Sequence, residues 1–414
     1  QNSYVTIPQA ANSFDNTEIS ANVDEDIIDS LTGGRLVGSV TSFENFAECP
    51  LRYYLRYGVD LKEREEFTFS PVNFGVVLHA VIREVCDEIK KNGESYYLIS
   101  EEKRREMVKR SVAAITDIYQ NSILKDSSRN SFMIKRMEDL ADRTIWAMGE
   151  QLKCGDFVPF VFEHKFNMEV GDGDRKQLMS GTIDRVDICE NGTDVYVRII
   201  DYKTGKKDFN IVKTYYGIDI QLMVYMEAAM KLVAKMRPGK NVIPAGVFYY
   251  NISDPIVSAT TESAEEIEDK IKGELRLKGM VNSDKDIVEK MDNTEGTSLN
   301  IPVSRKADGG FDSRRSKVMN TEQFNMLGRF VDVRAVDTAD RIAGGDIRRS
   351  PYKDGQFSSC DRCPYGAVCG FSVDLPGCNY RKLKKFDDEV LWNNIKEGVD
   401  ENGKKMDTGA EECD

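Results

Sequence analysis

Cys360, Cys363 and Cys369 fall within ten residues, in a stretch that also carries Pro364 and Gly366. Thiols at that density, in a chain whose start has no secretory pattern, read as metal ligands before they read as a disulfide or a nucleophile. Thiolates hold zinc or an iron–sulfur cluster, and either requires a fourth donor. Cys378 is the near candidate. Cys49, more than three hundred residues upstream in Glu48-Cys49-Pro50-Leu51-Arg52-Tyr53-Tyr54, is the distant one. Loop-closure entropy alone favours Cys378 and a small zinc knot. Cys86, Cys154 and Cys189 lie in apolar patterns where core packing accounts for them, and Cys413 lies in the tail.

The remaining composition narrows the setting. A chain of 414 residues has room for one large or two ordinary domains. It begins at Gln1, which reads as the start of a processed or excised piece. It has no apolar run of about 18 residues, so no membrane span is expected, and nine cysteines without a secretory pattern argue for a reducing, cytoplasmic setting. A net charge of −13 argues against a protein that coats nucleic acid indiscriminately, but it leaves room for a local basic groove.

Along the chain, residues 1–37 read as a flexible lead or the remnant of a preceding region. A helix is expected from about Ser42, with Thr41 and Glu44 at capping-box spacing. Val77, Leu78, Val81, Ile82, Val85 and Ile89 recur with helical spacing, and residues 101–124 and 131–153 read as two further amphipathic helices. Residues 157–170, 178–189 and 194–203 are β-branched and aromatic between Gly-rich turns, which predicts a three-stranded meander. A helix over 217–236 and a strand over 242–251 complete an α/β core with a mixed sheet, spanning 38–255. Residues 256–345 read as a helical insertion, with helices over 264–278 and 321–343. Residues 346–385 read as a cysteine-rich closure, and 386–414 as a helix and acidic tail.

Chemistry concentrates at one strand end. Asp201 and Lys203 are two apart, so both project from one face of their strand. Asp184 stands in the preceding strand, within Gly181-Thr182-Ile183-Asp184-Arg185. If the strands pair, two carboxylates converge on a hard cation, Mg²⁺ or Mn²⁺, and the lysine can serve a water attacking a phosphodiester. A surface ion pair at a strand end explains Asp201 and Lys203 more blandly. His79 is a nitrogen donor by type and a core residue by its apolar neighbours; Glu163 is a further acid in a strand, and His164 reads as structural. Gln221 and Tyr225 share a helix face, for either phosphate positioning or ordinary packing.

Taken together, the segments Thr41-Ser42-Phe43…Glu48-Cys49-Pro50…Tyr53, Gly75…His79, Gly181…Asp184-Arg185, Asp201-Tyr202-Lys203-Thr204-Gly205, Gln221…Tyr225, Pro351-Tyr352 and Cys360-Asp361-Arg362-Cys363-Pro364-Tyr365…Cys369-Gly370 resemble the RecB-type PD-(D/E)XK nucleases. Within them they are most similar to the nuclease part of AddB proteins from bacterial AddAB helicase–nucleases, over about residues 38–385. The resemblance implies a restriction-endonuclease-like fold and a catalytic metal held by His79, Asp184, Asp201 and the Tyr202 carbonyl. It implies that Lys203 acts at the attacking water, with Gln221 and Tyr225 at the edge of the site. It also implies a four-iron four-sulfur cluster on Cys49, Cys360, Cys363 and Cys369, against the spacing argument for Cys378. The implied activity is a DNase that resects the 5′-ended strand at double-strand breaks, working with an AddA-like helicase–nuclease partner. Ile183 stands where the family name has proline, and no Gly-x4-Gly-Lys-Ser/Thr loop is present. A stand-alone exonuclease of the CRISPR-adaptation type and a catalytically silent DNA-end-binding scaffold are the rival readings.

Overall fold

The computed structural model describes residues 22–24, 27, 37–62, 71–118, 128–170, 177–258, 262–375 and 378–408. Cys413 and most of the lead segment lie outside them. The centre of the molecule is a seven-stranded mixed sheet. Its first strand, β1 (Val37–Ser39), runs directly into helix α1 (Val40–Glu48). Three helices follow: α2 (Pro71–Lys91), α3 (Glu101–Ile118) and α4 (Ser128–Lys153). The meander comes next as β2 (Val158–Val170), β3 (Gln177–Asn191) and β4 (Asp194–Lys203). Helix α5 (Gln221–Met236) then crosses over to β5 (Asn241–Asn251), which lies parallel to β4.

The pairing of β3 opens the site. One edge of β3 pairs antiparallel with β2 along nearly its whole length. The other edge takes β1, parallel, at Leu178–Ser180 and β4, antiparallel, at Arg185–Asn191. Between those two partners Gly181–Asp184 has no strand neighbour on that edge among the described residues. Asp184 stands in this gap, one step beyond the Arg185–Ile200 pair, so continued register sets it opposite Asp201.

Hydrophobic layers cover both faces. Val77, Leu78, Val81, Ile82, Val85 and Ile89 of α2 are fully buried with α3 and α4 against Tyr202, Phe248 and Tyr250. On the opposite face α5 packs over Ile199, Val247 and Tyr249, with a long helix, Thr321–Ala343, beside it. Each such side chain contributes about 1.5–3 kcal/mol by leaving water. β4 is buried on both faces because helices lie above and below it.

Three expectations are corrected. α1 starts at Val40, not near Ser42, and its cap is Ser39, whose hydroxyl accepts from the Ser42 amide at 3.1 Å. The Thr41–Glu44 capping box is not formed; Glu44 reaches elsewhere. Helix α5 starts at Gln221 rather than Gly217, after a separate short turn, Ile211–Tyr215. Residues 256–345 are not a purely helical insertion: Lys278–Asn282 and Val318–Met319 extend the central sheet beyond β5. Both strands are too short to leave an alternating pattern in the sequence.

The cysteine-rich segment forms a small three-stranded sheet from residues 352–354, 357–358 and 381–382. It folds back onto the end of α1. The Leu51 amide donates to the Arg348 carbonyl at 3.3 Å, Arg381 to the Ala47 carbonyl, and the Tyr365 hydroxyl to the Leu61 carbonyl at 3.0 Å. No helix among the described residues is long and apolar enough to cross a membrane.

Candidate active site and cysteine cradle

Under the site lies a buried ionic platform. Asp187 accepts from Arg185 at 2.7 and 2.6 Å and from Arg198 at 2.9 Å, and all three side chains are essentially inaccessible. Burial alone would raise the Asp187 carboxyl, but the two guanidiniums outweigh it and hold it low. Because a broken buried pair costs about 3–5 kcal/mol, this platform fixes the strand segment that carries Asp184.

Asp184 is gripped from two sides. Its Oδ2 accepts from the Tyr202 amide at 2.6 Å, and its Oδ1 lies 3.4 Å from His79 Nδ1. The same imidazole nitrogen is 3.6 Å from Glu163 Oε1. His79, Glu163 and Asp184 thus gather donor atoms that all lie within 4.8 Å of one another, the spacing a single cation needs. Burial opposes a charge on His79, but hydrogen bonds and negative charge from Asp184 and Glu163 prevail and push it up to about 10. The Tyr202 ring stands edge-on to His79, with centroids 5.9 Å apart.

Glu163 is an ambiguous strand acid in the sequence; in the fold it belongs to the site. Its backbone is left-handed, with φ of +47°, in an otherwise extended strand. A non-glycine residue in that region costs about 1–3 kcal/mol, and such strain concentrates where a side chain is re-aimed for function. The carboxylate is turned to His79 as a result.

Asp201 heads a second group adjoining the first. It is buried, and its Oδ2 lies 2.5 Å from Lys203 Nζ. Burial and the nearby Asp184 charge push its carboxyl up to about 7, against the pull of Lys203. Lys203 Nζ also donates to Gln221 Oε1 at 3.0 Å, and Gln221 Nε2 donates to the Tyr225 hydroxyl at 2.9 Å. Gly181 makes room for this arrangement: a Cβ there would stand 2.7 Å from the Phe166 ring and 3.0 Å from the Tyr225 ring. The structure therefore brings His79 and Asp184 together in one group and Asp201, Lys203, Gln221 and Tyr225 in an adjoining one; Asp201 is not among the three residues whose donor atoms cluster within 4.8 Å. The Tyr202 amide is the group that holds Asp184.

A second cradle forms at the far end of α1. Cys49, Cys360, Cys363 and Cys369 line one cavity with Leu55, Tyr365 and Phe371 among its walls. Cys378 is buried elsewhere and is not part of this lining. Burial pushes the Cys49, Cys360 and Cys369 thiols up, with the neighbouring cysteines adding to the effect. Such thiols are inert as nucleophiles and become thiolates when a metal takes the proton's place.

Three basic side chains are already committed to ion pairs. Arg52 pairs with Glu48, Lys207 with Asp219 at 3.1 Å, and Arg348 with Asp346 at 2.7 Å.

A buried carboxylate pair, a neighbouring lysine and a Gln–Tyr brace stand together at the open end of a mixed sheet. The chain belongs to the PD-(D/E)XK nuclease superfamily, whose sequence pattern matches residues 38–370. Its relatives include the B-type subunits of ATP-dependent helicase/deoxyribonucleases. It is 33% identical over 380 residues to the one from Thermoanaerobacter sp. (strain X514), covering 89% of this chain and 33% of that protein. Proteins of the same description from Lachnoclostridium phytofermentans and Clostridium acetobutylicum are each 34% identical, over 94% and 90% of this chain and 34% and 33% of their own lengths. The chain thus spans about a third of the length of these curated relatives.

Proposed function

We propose that this chain is the deoxyribonuclease portion of an ATP-dependent helicase/deoxyribonuclease. In this reading it cuts strands delivered by a helicase-bearing partner of the AddA type, trimming the 5′-ended strand at double-strand breaks to leave a 3′ tail. The observation that carries the reading is the convergence of Asp184, Asp201 and Lys203 in the gap between β1 and β4. Mg²⁺ or Mn²⁺ suits the donor set, which is carboxylate oxygen and one imidazole nitrogen. His79, Asp184 and Asp201, with Glu163 beside them, would hold the ion, and the Tyr202 carbonyl is a further donor by resemblance. Bound there, the cation supplies positive charge that polarises a phosphodiester and acidifies water.

The chain's own groups do the rest. The Tyr202 amide fixes Asp184, and the Arg185–Asp187–Arg198 platform keeps that strand from yielding. Lys203 orients the attacking water and offsets charge that builds on the phosphate oxygens. Gln221 and Tyr225 restrain the ammonium. The cradle of Cys49, Cys360, Cys363 and Cys369 is suited to a four-iron four-sulfur cluster that ties the two ends of the domain together.

The test is cleavage of single-stranded DNA with Mg²⁺ and its loss on chelation. DNA binding without metal-dependent cleavage would favour a silent end-binding module instead.

Proton competition gives a further expectation. His79 and Asp201 both hold protons more tightly than usual, and each must release one before a cation is bound. Cation affinity is therefore expected to rise about tenfold per pH unit between about pH 7 and pH 9, and more steeply below about pH 7, where Asp201 adds a second proton. Calorimetric titration with Mn²⁺ across that range checks it. An affinity that is flat above pH 7 removes His79 from the ligand set.

A further inference from the structure

Glu44 has no role in the reading above, yet its carboxylate crosses from α1 to the start of α5. Its Oε1 accepts from the Ile220 amide at 2.9 Å and from the Gln221 amide at 3.0 Å. Ile220 offers no side-chain cap to the helix it precedes. The first turn of α5 is therefore closed by a carboxylate from another helix, placed where the helix dipole favours negative charge.

What that turn carries decides the consequence. Gln221 is its first residue, and the two ends of its amide are both in use: Nε2 donates to Tyr225 at 2.9 Å and Oε1 accepts from Lys203 Nζ at 3.0 Å. The Lys203 ammonium is thus held between Gln221 and Asp201, which lies 2.5 Å away on the other side. If the first turn of α5 shifts, the Gln221 acceptor shifts with it, and the ammonium is left to Asp201 alone. A displacement of about 1 Å at such a group can cost on the order of 100-fold in rate.

We infer that Glu44 is a positioning residue for Lys203, acting through Gln221. The inference rests on the nuclease reading and adds a component to it: a strap from the N-terminal helix that sets the distance between the lysine and the metal-binding acid. The same helix is closed at its far end by Cys49, so the strap and the cysteine cradle are anchored on one rigid element.

The experiment uses the chain with Mg²⁺ and single-stranded DNA. Glu44→Ala is expected to lower kcat about 30-fold, with KM and Mn²⁺ affinity each within about 3-fold of the parent. Glu44→Gln keeps an acceptor oxygen for both amides and is expected to restore kcat to within about 3-fold. A double-mutant cycle separates strapping from plain capping. Adding Glu44→Ala to Gln221→Ala should cost less than about 2-fold more than Gln221→Ala alone, because both act on one ammonium. Full multiplication of the two losses, or a Glu44→Ala protein that cuts like the parent, overturns the inference. If the parent itself does not cut, the nuclease reading fails separately. The Lys203 Nζ NMR signal then decides the strap, which requires that signal to move in Glu44→Ala and stay in place in Glu44→Gln.

Discussion

Replacing Asp201 with alanine is expected to lower metal-dependent DNA cleavage by about 10³-fold or more. The carboxylate is one of the two acids that would hold the cation and the partner of the lysine beside it, so both functions fail together. Stability should move the other way. Burial and the Asp184 charge push the Asp201 carboxyl up to about 7, so above that pH the fold carries a crowded, poorly solvated charge. Removing it relieves that repulsion. The variant is therefore expected to melt at the same temperature as the metal-free parent or higher at about pH 8, while its cleavage rate collapses. A variant that loses activity and melting temperature together would indicate a structural acid instead. Lys203→Ala is the companion change: cleavage falls by about 10²–10³-fold, with Mn²⁺ binding retained.

The second large effect is at the cradle. Cys49→Ser is expected to remove the brown colour of anaerobically prepared protein and to lower the melting midpoint by on the order of 10 °C. Cys378→Ser should do neither, because that thiol is buried outside the cavity. Cys49 lies more than three hundred residues from Cys360, so a shared cluster closes nearly the whole domain into one loop. Hydrogen bonds across the same seam, from Leu51 to Arg348, Arg381 to Ala47 and Tyr365 to Leu61, contribute on the order of 1 kcal/mol each. Zinc in place of iron, or colour that survives Cys49→Ser and vanishes with Cys378→Ser, would contradict this assignment.

The parts of the fold that could be read from the sequence are those with long periods. The α2 stripe and the three meander strands repeat often enough to specify both element and buried face, and α2 and β4 appear where the pattern set them. Asp184, Asp201 and Lys203 could be read because strand pairing fixes which residues stand opposite. Glu163 could not: its place in the site depends on a left-handed kink that no local pattern announces. Glu44 misleads for a related reason. Its spacing from Thr41 mimics a local capping box, but Ser39 already caps α1, which frees the carboxylate for a helix 176 residues away. Chain entropy points to Cys378, but the cavity that holds Cys360, Cys363 and Cys369 is lined by Cys49, because tertiary structure has already brought the distant residue near. Closing a loop is costly in an open chain and nearly free once α1 and the small sheet are packed together.

The most direct test of the account is the anomalous scattering of Mn²⁺ in crystals of the protein. It predicts a peak about 2.2 Å from oxygen atoms of both Asp184 and Asp201 and from a ring nitrogen of His79, with Lys203 Nζ nearby but not coordinated. A peak held by one of the two aspartates without the other, or no peak in the gap between β1 and β4, would contradict it.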